Sequence, residues 1–243
     1  MKIVDAFWEK RNLGVSCKEI EIENCDTAEV VAEKLSGMEA EYTVVKTPIA
    51  RTDIMELLNE NGFNFIECMF HATHNLKMPE ISSVQKRMAE AVDYRLMKED
   101  ETEELFSEIR KGMFVTDRIF LDSHFTDSQA AERYVNWIKD EIARGTELYL
   151  LTHKEKHVGF FIFKEISDEE FNPFLAGIYS NKSLPGIGIA IQYNVIKEAQ
   201  KRNGKLLHAY FSTNNAPVMN AHLLFNYEIK AVNYVYVKHS KTV

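Results

Sequence analysis

Two glycines, Gly186 and Gly188, lie between a predicted strand at residues 171–179 and a predicted helix, and their spacing is typical of an anion-binding turn. The helix is indicated by apolar residues that recur at helical spacing from Ile189, and it ends at Gly204. Backbone N–H groups at the start of such a helix, together with the positive end of its dipole, converge on one spot. Glycine lets a ligand approach the backbone closely. The pattern therefore predicts a cradle for a pyrophosphate.

Two common phosphate-binding loops do not fit this stretch. A Rossmann loop needs a third glycine where this chain has Ile191, and an acidic residue further on, whereas residues 205–208 contain none. A Walker loop needs Lys and Ser or Thr directly after its last glycine, but Gly188 is followed by Ile189 and Ala190. Both classes are excluded, and a different kind of cradle is indicated.

The order of elements around the glycines resembles the acyl-CoA site of the GNAT acetyltransferases. A predicted strand at 205–212, a polar break and a predicted helix at 216–225 follow the first helix. The GNAT signature is Gln/Arg-x-x-Gly-x-Gly/Ala, then Asn-x-x-Ala-x-x-x-Tyr and Gly-Phe. The chain matches it at Gly186, Gly188 and Asn215. The chain departs from it at Ser183, Val218, His222, Asn226 and Tyr227.

The resemblance implies that acetyl-CoA is the co-substrate and that no metal is needed. It implies that the pyrophosphate binds the segment formed by Ser183, Leu184, Pro185, Gly186, Ile187, Gly188 and Ile189. Pro185 has no N–H, so this cradle offers one donor fewer. The resemblance also implies that the backbone at Gly177 and Ile178 binds the pantetheine arm and supplies an oxyanion donor. The alternatives are a plain glycine-containing turn and, at Gly177, a bulge that serves packing.

His222 stands where the GNAT signature has the tyrosine that protonates the leaving thiolate. An imidazolium with a pKa near ~6.5 could protonate a thiolate whose thiol has a pKa near ~8.5, so His222 is a candidate general acid. A structural histidine is the alternative, and Tyr227 or water could supply the proton instead. Asn215 is implied as a cofactor ligand, although Asn before Ala216-Pro217 also suits a helix N-cap.

The general base and the acceptor site are less defined. Three residues are candidates for the substrate site: Arg118, Asp122 and His124. Arg118 could bind a substrate phosphate, and so could Arg133. His71 and His74 are further candidates for the base. Cys68, His71 and His74 have a spacing that resembles a metal site, but no fourth ligand lies nearby, and no metal is predicted. Tyr134 and Trp137 are predicted to be core residues at helical spacing.

Composition describes an ordinary globular chain of 243 residues with a net charge of −8. The charge and the lack of a basic stripe argue against nucleic-acid binding. No apolar run is long enough for a membrane span, and an acid at Asp5 argues against a signal peptide. Three scattered cysteines, with no disulfide framework, are consistent with a reducing cytoplasm.

The first 88 residues are predicted to form a small α/β module. Strands are predicted at 15–23, 41–47 and 63–72, and helices at 27–35 and 53–61, with residues 79–88 as a connector or short helix. The module lacks a Gly-x-Gly cradle, and it could be a degenerate GNAT-like half. The runs from Ala50 to Ile54 and from Asn61 to Phe65 resemble the N-terminal half of the dTDP-fucosamine acetyltransferases.

Residues 89–243 are predicted to form the acetyltransferase domain. The pattern predicts a strand at 92–97, an acidic helix at 100–110, a loop at 116–125, a helix capped by Thr126 and a hairpin over 146–164. One or two strands follow at 228–239. Residues 117–145 again resemble the sugar-nucleotide amine acetyltransferases. The predicted fold class is α/β (α+β): a GNAT fold with a mixed, mostly antiparallel sheet and helices on both faces.

The function implied by the resemblance is acetyl-CoA-dependent N-acetylation of a primary amine on a small molecule, with a nucleotide-linked amino sugar as the preferred acceptor. Peptide, lysine or amino-acid amines are alternative acceptors. A non-catalytic acyl-CoA-binding regulatory module is the alternative outside the enzymes. A homodimer is compatible with the sequence, and neither nucleic acid nor membrane is expected as a partner.

Overall fold

Ten strands form one sheet in the computed structural model, which describes residues 1–180 and 186–240. The strands are β1 (Lys2–Asp5), β2 (Cys17–Glu21), β3 (Tyr42–Pro48), β4 (Asn64–His74), β5 (Asp93–Leu96), β6 (Glu147–His153), β7 (Lys156–Ser167), β8 (Glu170–Ile178), β9 (Leu206–Ser212) and β10 (Glu228–His239). The helices are α1 (Trp8–Leu13), α2 (Ala28–Ser36), α3 (Thr52–Glu60), α4 (Ser83–Glu90), α5 (Thr102–Arg110), α6 (Arg118–Leu121), α7 (Asp127–Ala143), α8 (Ile187–Lys201) and α9 (Ala216–Leu224).

The strands lie in the order β1-β2-β3-β10-β4-β9-β8-β7-β6-β5. Two neighbouring pairs, β2 with β3 and β8 with β9, are parallel, and the other pairs are antiparallel. The prediction of a mixed, mostly antiparallel sheet with helices is confirmed. A parallel pair needs a crossover connection, and the helices α2 and α8 supply it.

The two halves of the chain repeat one topology around the centre of the sheet. The unit β2-α2-β3-α3-β4 corresponds to β8-α8-β9-α9-β10, with the same parallel pair in each. The last strand of each unit is exchanged: β10 lies between β3 and β4, and β4 lies between β10 and β9. The halves are therefore joined through the sheet itself, and the predicted boundary after residue 88 falls within α4.

Helices cover both faces of the sheet, as the alternation of side chains shows. On β7, Phe161 and Phe163 pack with residues of α8, whereas Phe160 and Ile162 pack with residues of α5 and α7. We call these the α8 face and the α7 face. Alternation along β10 places α2 and α3 on the α8 face, and α6 on the α7 face with α7. Each face thus has its own apolar core.

Local signals explain most element boundaries. Thr27 and Thr126 accept hydrogen bonds from the amides of Val30 and Gln129, so both predicted helix starts are confirmed. The sequence did not predict β1 and α1, and α6 lies within a segment predicted to be a loop. These elements are short and have no clear periodicity, and their tertiary contacts decide them. The final segment is one strand. Among the described residues, no helix has the length and apolar character that a membrane crossing requires.

Candidate functional site

The parallel strands β8 and β9 separate soon after they begin, and a wedge opens between them. Within the described residues, their pairing is limited to Glu170 with Leu206 and Phe171 with Leu207. Both strands continue well beyond these pairs, and β8 stays paired with β7 as far as Ile178. The opening is therefore on the β9 side of β8. An extended ligand can use such an unpaired strand edge as an added strand does.

The amide of Ile178 lies on the wedge edge of β8. The next residue, Tyr179, donates its N–H to the carbonyl of Val158 on β7 at 3.0 Å. Successive amides of a strand point to opposite edges, so the Ile178 N–H points away from β7 and towards the wedge. The predicted oxyanion donor is thus placed where a ligand in the wedge would meet it, and its contact with a ligand remains a prediction.

Gly177 leaves space for the Met113 side chain, which packs against β8. A Cβ at this position would lie 2.1 Å from Sδ of Met113 and 2.7 Å from the Phe160 ring, so no larger residue fits without movement. Met113 follows α5 and brings the connector between α5 and α6 against the strand beside Ile178. The packing role that the sequence left open for Gly177 is therefore present, and its cofactor contact remains a prediction.

The glycine cradle begins helix α8. Gly186 is the N-cap and has a φ of 82°, a left-handed conformation that favours glycine. Among the hydrogen bonds between described residues, the first in this helix are those of the Ile189 and Ala190 amides to the Gly186 carbonyl, at 3.0 and 3.1 Å. The amides of Ile187 and Gly188 precede these bonds, and the first turn contains no acidic residue. Ser183, Leu184 and Pro185 lie outside the described residues.

Asn215 is the N-cap of α9. Its side-chain oxygen accepts the Val218 amide at 3.2 Å, and Pro217 lies in the first turn of the helix. The capping role that the sequence offered as an alternative is therefore present. A cofactor contact by Asn215 stays a prediction.

His222 is buried and hydrogen-bonded at both ring nitrogens. Nδ1 lies 2.8 Å from the Val218 carbonyl, and Nε2 lies 3.3 Å from the Gln192 amide nitrogen. The ring therefore donates from Nδ1 and accepts at Nε2, as a neutral imidazole does. Burial lowers the pKa of His222 to about 4. Burial thus favours a neutral ring over the imidazolium expected from the sequence, because no carboxylate is among the causes that shift the pKa. The general-acid role of His222 stays a prediction.

Tyr227, the sequence's weaker candidate for the acid, lies beside His222. Its ring contacts His222 edge-on with centroids 4.6 Å apart, and its hydroxyl is buried without a hydrogen-bond partner among the described residues. Burial raises the pKa of Tyr227 well above its usual value. His74 also packs against Tyr227 on the α8 face, with ring centroids 4.8 Å apart. This cluster supplies no charged proton donor near neutral pH.

Arg118 and Arg133 are held by carboxylates in the interior. Arg118 forms ion pairs with Glu19 and, at 3.7 Å, with Glu9, and Arg133 bonds Glu9 at 2.7 Å. The charge of Arg118 lowers the pKa of Glu19 to about 2, against the effect of burial. Arg118 was predicted to bind a substrate phosphate. In the structure the Arg118 side chain is 11% exposed, and a phosphate would have to displace the carboxylates that pair with its guanidinium.

Asp122 and His124, the other two predicted substrate residues, lie together. Asp122 is buried and accepts hydrogen bonds from Nδ1 of His124 at 3.0 Å and from Nε2 of His239 at 2.7 Å. His239 is the last residue of β10, so the pairing ties the connector between α6 and α7 to the sheet. A substrate contact at Asp122 or His124 remains a prediction.

Glu67 on β4 was not singled out from the sequence, although a glutamate within the apolar run 63–72 is a visible signal. The residue is 3% exposed, its Oε1 accepts the Arg118 amide at 3.2 Å, and its Oε2 has no partner among the described residues. Burial raises the pKa of the Glu67 carboxyl, and the nearby Ser212 hydroxyl and Arg118 charge lower it less. A buried carboxyl with a raised pKa is typical of functional sites.

Glu67 lies near the wide end of the wedge. Ser212 is the last residue of β9 and is paired with Met69 on β4, two residues from Glu67 and on the same face. Tyr134 of α7, buried and predicted to be core, lies close enough to Glu67 for the carboxylate to raise its pKa further. The buried carboxyl, the end of β9 and α7 therefore meet on the α7 face.

The α7 face beside Glu67 is partly open. Tyr210 of β9 is 52% exposed and stacks on His71 of β4 at 4.5 Å, and Nε2 of His71 lies 3.1 Å from Nδ1 of His208. Trp137, predicted to be core, stacks on Phe174 of β8 at the rim of this region, with 36% of its surface exposed. Aromatic and imidazole rings thus lie on the α7 face of β4, β9 and β8.

The metal-like spacing of Cys68, His71 and His74 does not converge. His71 stacks on Tyr210 on the α7 face, whereas His74 packs against Tyr227 on the α8 face. Residues three apart on a strand point to opposite faces, so these side chains cannot share one ion.

No protein-family model and no curated protein matches this chain. Solved structures do. A conserved protein of unknown function from Staphylococcus epidermidis has a TM-score of 0.61 at 14% identity, covering 93% of this chain and 85% of its own. A GCN5-related N-acetyltransferase from Sphaerobacter thermophilus has a TM-score of 0.56 at 14% identity, and the match covers 87% of this chain and 64% of that protein. A GCN5-related N-acetyltransferase from Kribbella flavida has a TM-score of 0.52 at 13% identity, and the match covers 93% of this chain and 82% of that protein.

These similarities show that the chain has the fold of the GCN5-related N-acetyltransferases. The predicted GNAT fold is confirmed. The narrower resemblance to the dTDP-fucosamine acetyltransferases stays a prediction.

Proposed function

We propose that this protein is an N-acyltransferase that moves an acetyl group from acetyl-CoA to a primary amine. The wedge between β8 and β9 supports this function best, because the Ile178 amide points away from β7 at the place where β8 and β9 part, and α8 follows β8 with a glycine N-cap. The helix start suits the pyrophosphate of the co-substrate, and the strand edge suits its extended arm.

In this proposal Glu67 is the general base. Its carboxylate takes a proton from the attacking amine as the new C–N bond forms, directly or through one water. The Ile178 N–H donates to the oxygen that becomes negative in the tetrahedral intermediate. When the C–S bond breaks, the thiolate leaves and takes its proton from water or from the Glu67 carboxyl. His222 has no role in this scheme. Its pKa is about 4, so at pH 7 the ring is neutral and has no acidic proton to give to the thiolate.

Two classes of acceptor are compatible with this chemistry. The resemblance to the sugar-nucleotide enzymes favours a nucleotide-linked amino sugar. The pairing of Arg118 and Arg133 with Glu9 and Glu19 favours an amine without a phosphate, because these guanidinium groups are already neutralised. A buried carboxyl at Glu67 also suits a cationic amine such as an amino acid or a peptide N-terminus.

Gly188→Val tests the proposed cradle, with Gly37→Val as its matched control. Among the described residues, no atom lies within 4 Å of a Cβ added at either glycine, and neither glycine has a positive φ, so we expect both variants to fold. A side chain at Gly188 would block the approach of a phosphate to the helix start. Calorimetric titration should show acetyl-CoA binding to the wild type and to Gly37→Val, and binding roughly tenfold or more weaker to Gly188→Val.

Thiol release from acetyl-CoA should then be measured with nucleotide-linked amino sugars, amino acids and short peptides. Turnover with any of these amines supports the enzyme, and the preferred class decides between the acceptors. Tight binding without turnover would favour the regulatory module instead. Equal binding by wild type and Gly188→Val, or none by either, would contradict the proposed cradle.

A further inference from the structure

We propose that Asp122, His124 and His239 form a binding site for a divalent transition-metal ion. Zn²⁺ is the ion that these ligands suit best. The three residues come from two distant parts of the chain, the connector between α6 and α7 and the end of β10. One ligand atom from each lies within 4.8 Å of the other two. This convergence is created by the tertiary structure.

The ligand types and distances suit zinc. Two imidazole nitrogens and one carboxylate, with water in the remaining position, form a common set for Zn²⁺ with three protein ligands. Ligands about 2.0–2.1 Å from one ion in tetrahedral arrangement lie roughly 3.3 Å from each other. Asp122 lies 3.0 and 2.7 Å from the nitrogens of His124 and His239, and the two rings stack with centroids 3.8 Å apart. The exposed His124 ring must therefore rotate out of the stack before both nitrogens can point at one ion.

The hydrogen bonds of the cluster already direct ring nitrogens at the carboxylate. One nitrogen of each ring points at a different oxygen of Asp122, and binding would replace these hydrogen bonds with bonds to the ion. The ring proton then moves to the other ring nitrogen, so the charge of the ring does not change.

Surrounding groups orient the ligands and leave a path for the ion. The backbone amide of His124 donates to Asp122 at 3.1 Å, and Tyr42 and Phe125 pack against the His239 ring at 4.8 and 5.4 Å. Such supporting contacts fix ligand orientation in metal sites. The His124 side chain is 62% exposed, so water and the ion can reach the cluster.

A metal at this position would fasten the connector to the sheet. The connector continues from α6, whose first residue, Arg118, contacts Glu67 through its backbone. Metal binding is therefore expected to stabilise the segment that covers the α7 face, without providing a catalytic group. This role is independent of acyl transfer.

The test uses tag-free wild-type protein and the variants His124→Ala, Asp122→Asn and His157→Ala. His157 is the matched control, because it also pairs with carboxylates, Glu104 at 2.6 Å and Glu101 at 3.7 Å, but has no second imidazole partner in the described clusters. Co²⁺ is titrated while its visible absorption is recorded, and Zn²⁺ is then added as a competitor. Circular dichroism checks that each variant is folded.

We expect one equivalent of Co²⁺ to give a visible band that Zn²⁺ removes. His124→Ala and Asp122→Asn should weaken Co²⁺ binding by about tenfold or more, and His157→Ala should leave it unchanged. No band with the wild type, or a band unaltered in His124→Ala, would overturn the proposal and leave the cluster as a hydrogen-bonded clamp. Because His124 is largely exposed, its variant keeps the test valid if Asp122→Asn does not fold.

Discussion

Phe171 and Leu207 form the last pair of the parallel ladder between β8 and β9, and beyond them the two strands part. The corresponding strands of the first half, β2 and β3, stay paired from Cys17 with Tyr42 to Glu21 with Lys46. The repeated topology therefore has a wedge in one half and a closed ladder in the other.

This difference predicts one acetyl-CoA per chain. Asp26 and Thr27 precede helix α2, and the Asp26 carboxylate would repel a pyrophosphate at this helix start. Helix α8 instead has Gly186 as its N-cap. Calorimetric titration should give a stoichiometry of one, and Gly188→Val should weaken that binding by roughly tenfold or more. A second equivalent that survives in Gly188→Val would show that the closed half also binds the co-substrate.

Glu67→Gln should lower turnover by about a hundredfold or more, because it removes the proposed base. The same change should leave the melting temperature equal or higher at pH 7. A carboxyl whose pKa is raised on folding costs stability when it ionises, and this cost grows as the pH rises from about 4.3 through the folded pKa.

Glu60→Gln, at an exposed glutamate of α3, is the control for both measurements. Retained turnover in Glu67→Gln would refute the base assignment. A marked fall in melting temperature would show instead that the Glu67 carboxylate is a structural ion partner of Arg118.

His222 should make the fold sensitive to acid. Its pKa of about 4 in the folded chain is below the unfolded value of about 6.5, so the unfolded state binds the proton more tightly as the pH falls. Stability is therefore fully present above about pH 6.5 and declines towards pH 4, by roughly 3 kcal/mol in total. Denaturant unfolding at several pH values should show a shallower decline in His222→Phe.

Turnover of His222→Phe at pH 7 separates the two interpretations of this residue. A neutral, buried ring predicts that kcat is largely retained. A fall of about tenfold or more, with acetyl-CoA binding kept, would support the general-acid role inferred from the sequence.

Arg118→Met should destabilise the fold by up to about 3 kcal/mol, because Glu9 and Glu19 lose a partner while Arg133 and Lys46 still offset part of their charge. The triple change with Glu9→Gln and Glu19→Gln should recover part of this loss. Denaturant unfolding measures both. If Arg118→Met unfolds like the wild type but loses acceptor affinity, the residue is a substrate ligand after all.

The sequence predicted the elements that have strong local signals. Helical spacing, caps such as Thr27 and Thr126, and strand alternation are encoded within a few residues, so the order of elements and the glycine turn at Gly186 could be inferred. The resemblance of that order to the GNAT signature led to the correct fold. Short elements such as β1, α1 and α6 were missed or assigned to a loop because local signals are weak over so few residues.

The tertiary structure alone decided how distant residues meet. No local pattern reveals that β10 lies between β3 and β4, that carboxylates neutralise Arg118, or that Asp122 contacts His239. Burial also lowers the pKa of His222, which favours a neutral ring over the imidazolium expected from the sequence. Burial raises the pKa of Glu67, and this shift makes Glu67 a candidate base. Periodicity and capping depend on near neighbours, whereas burial and charge pairing depend on contacts that exist only after the chain has folded.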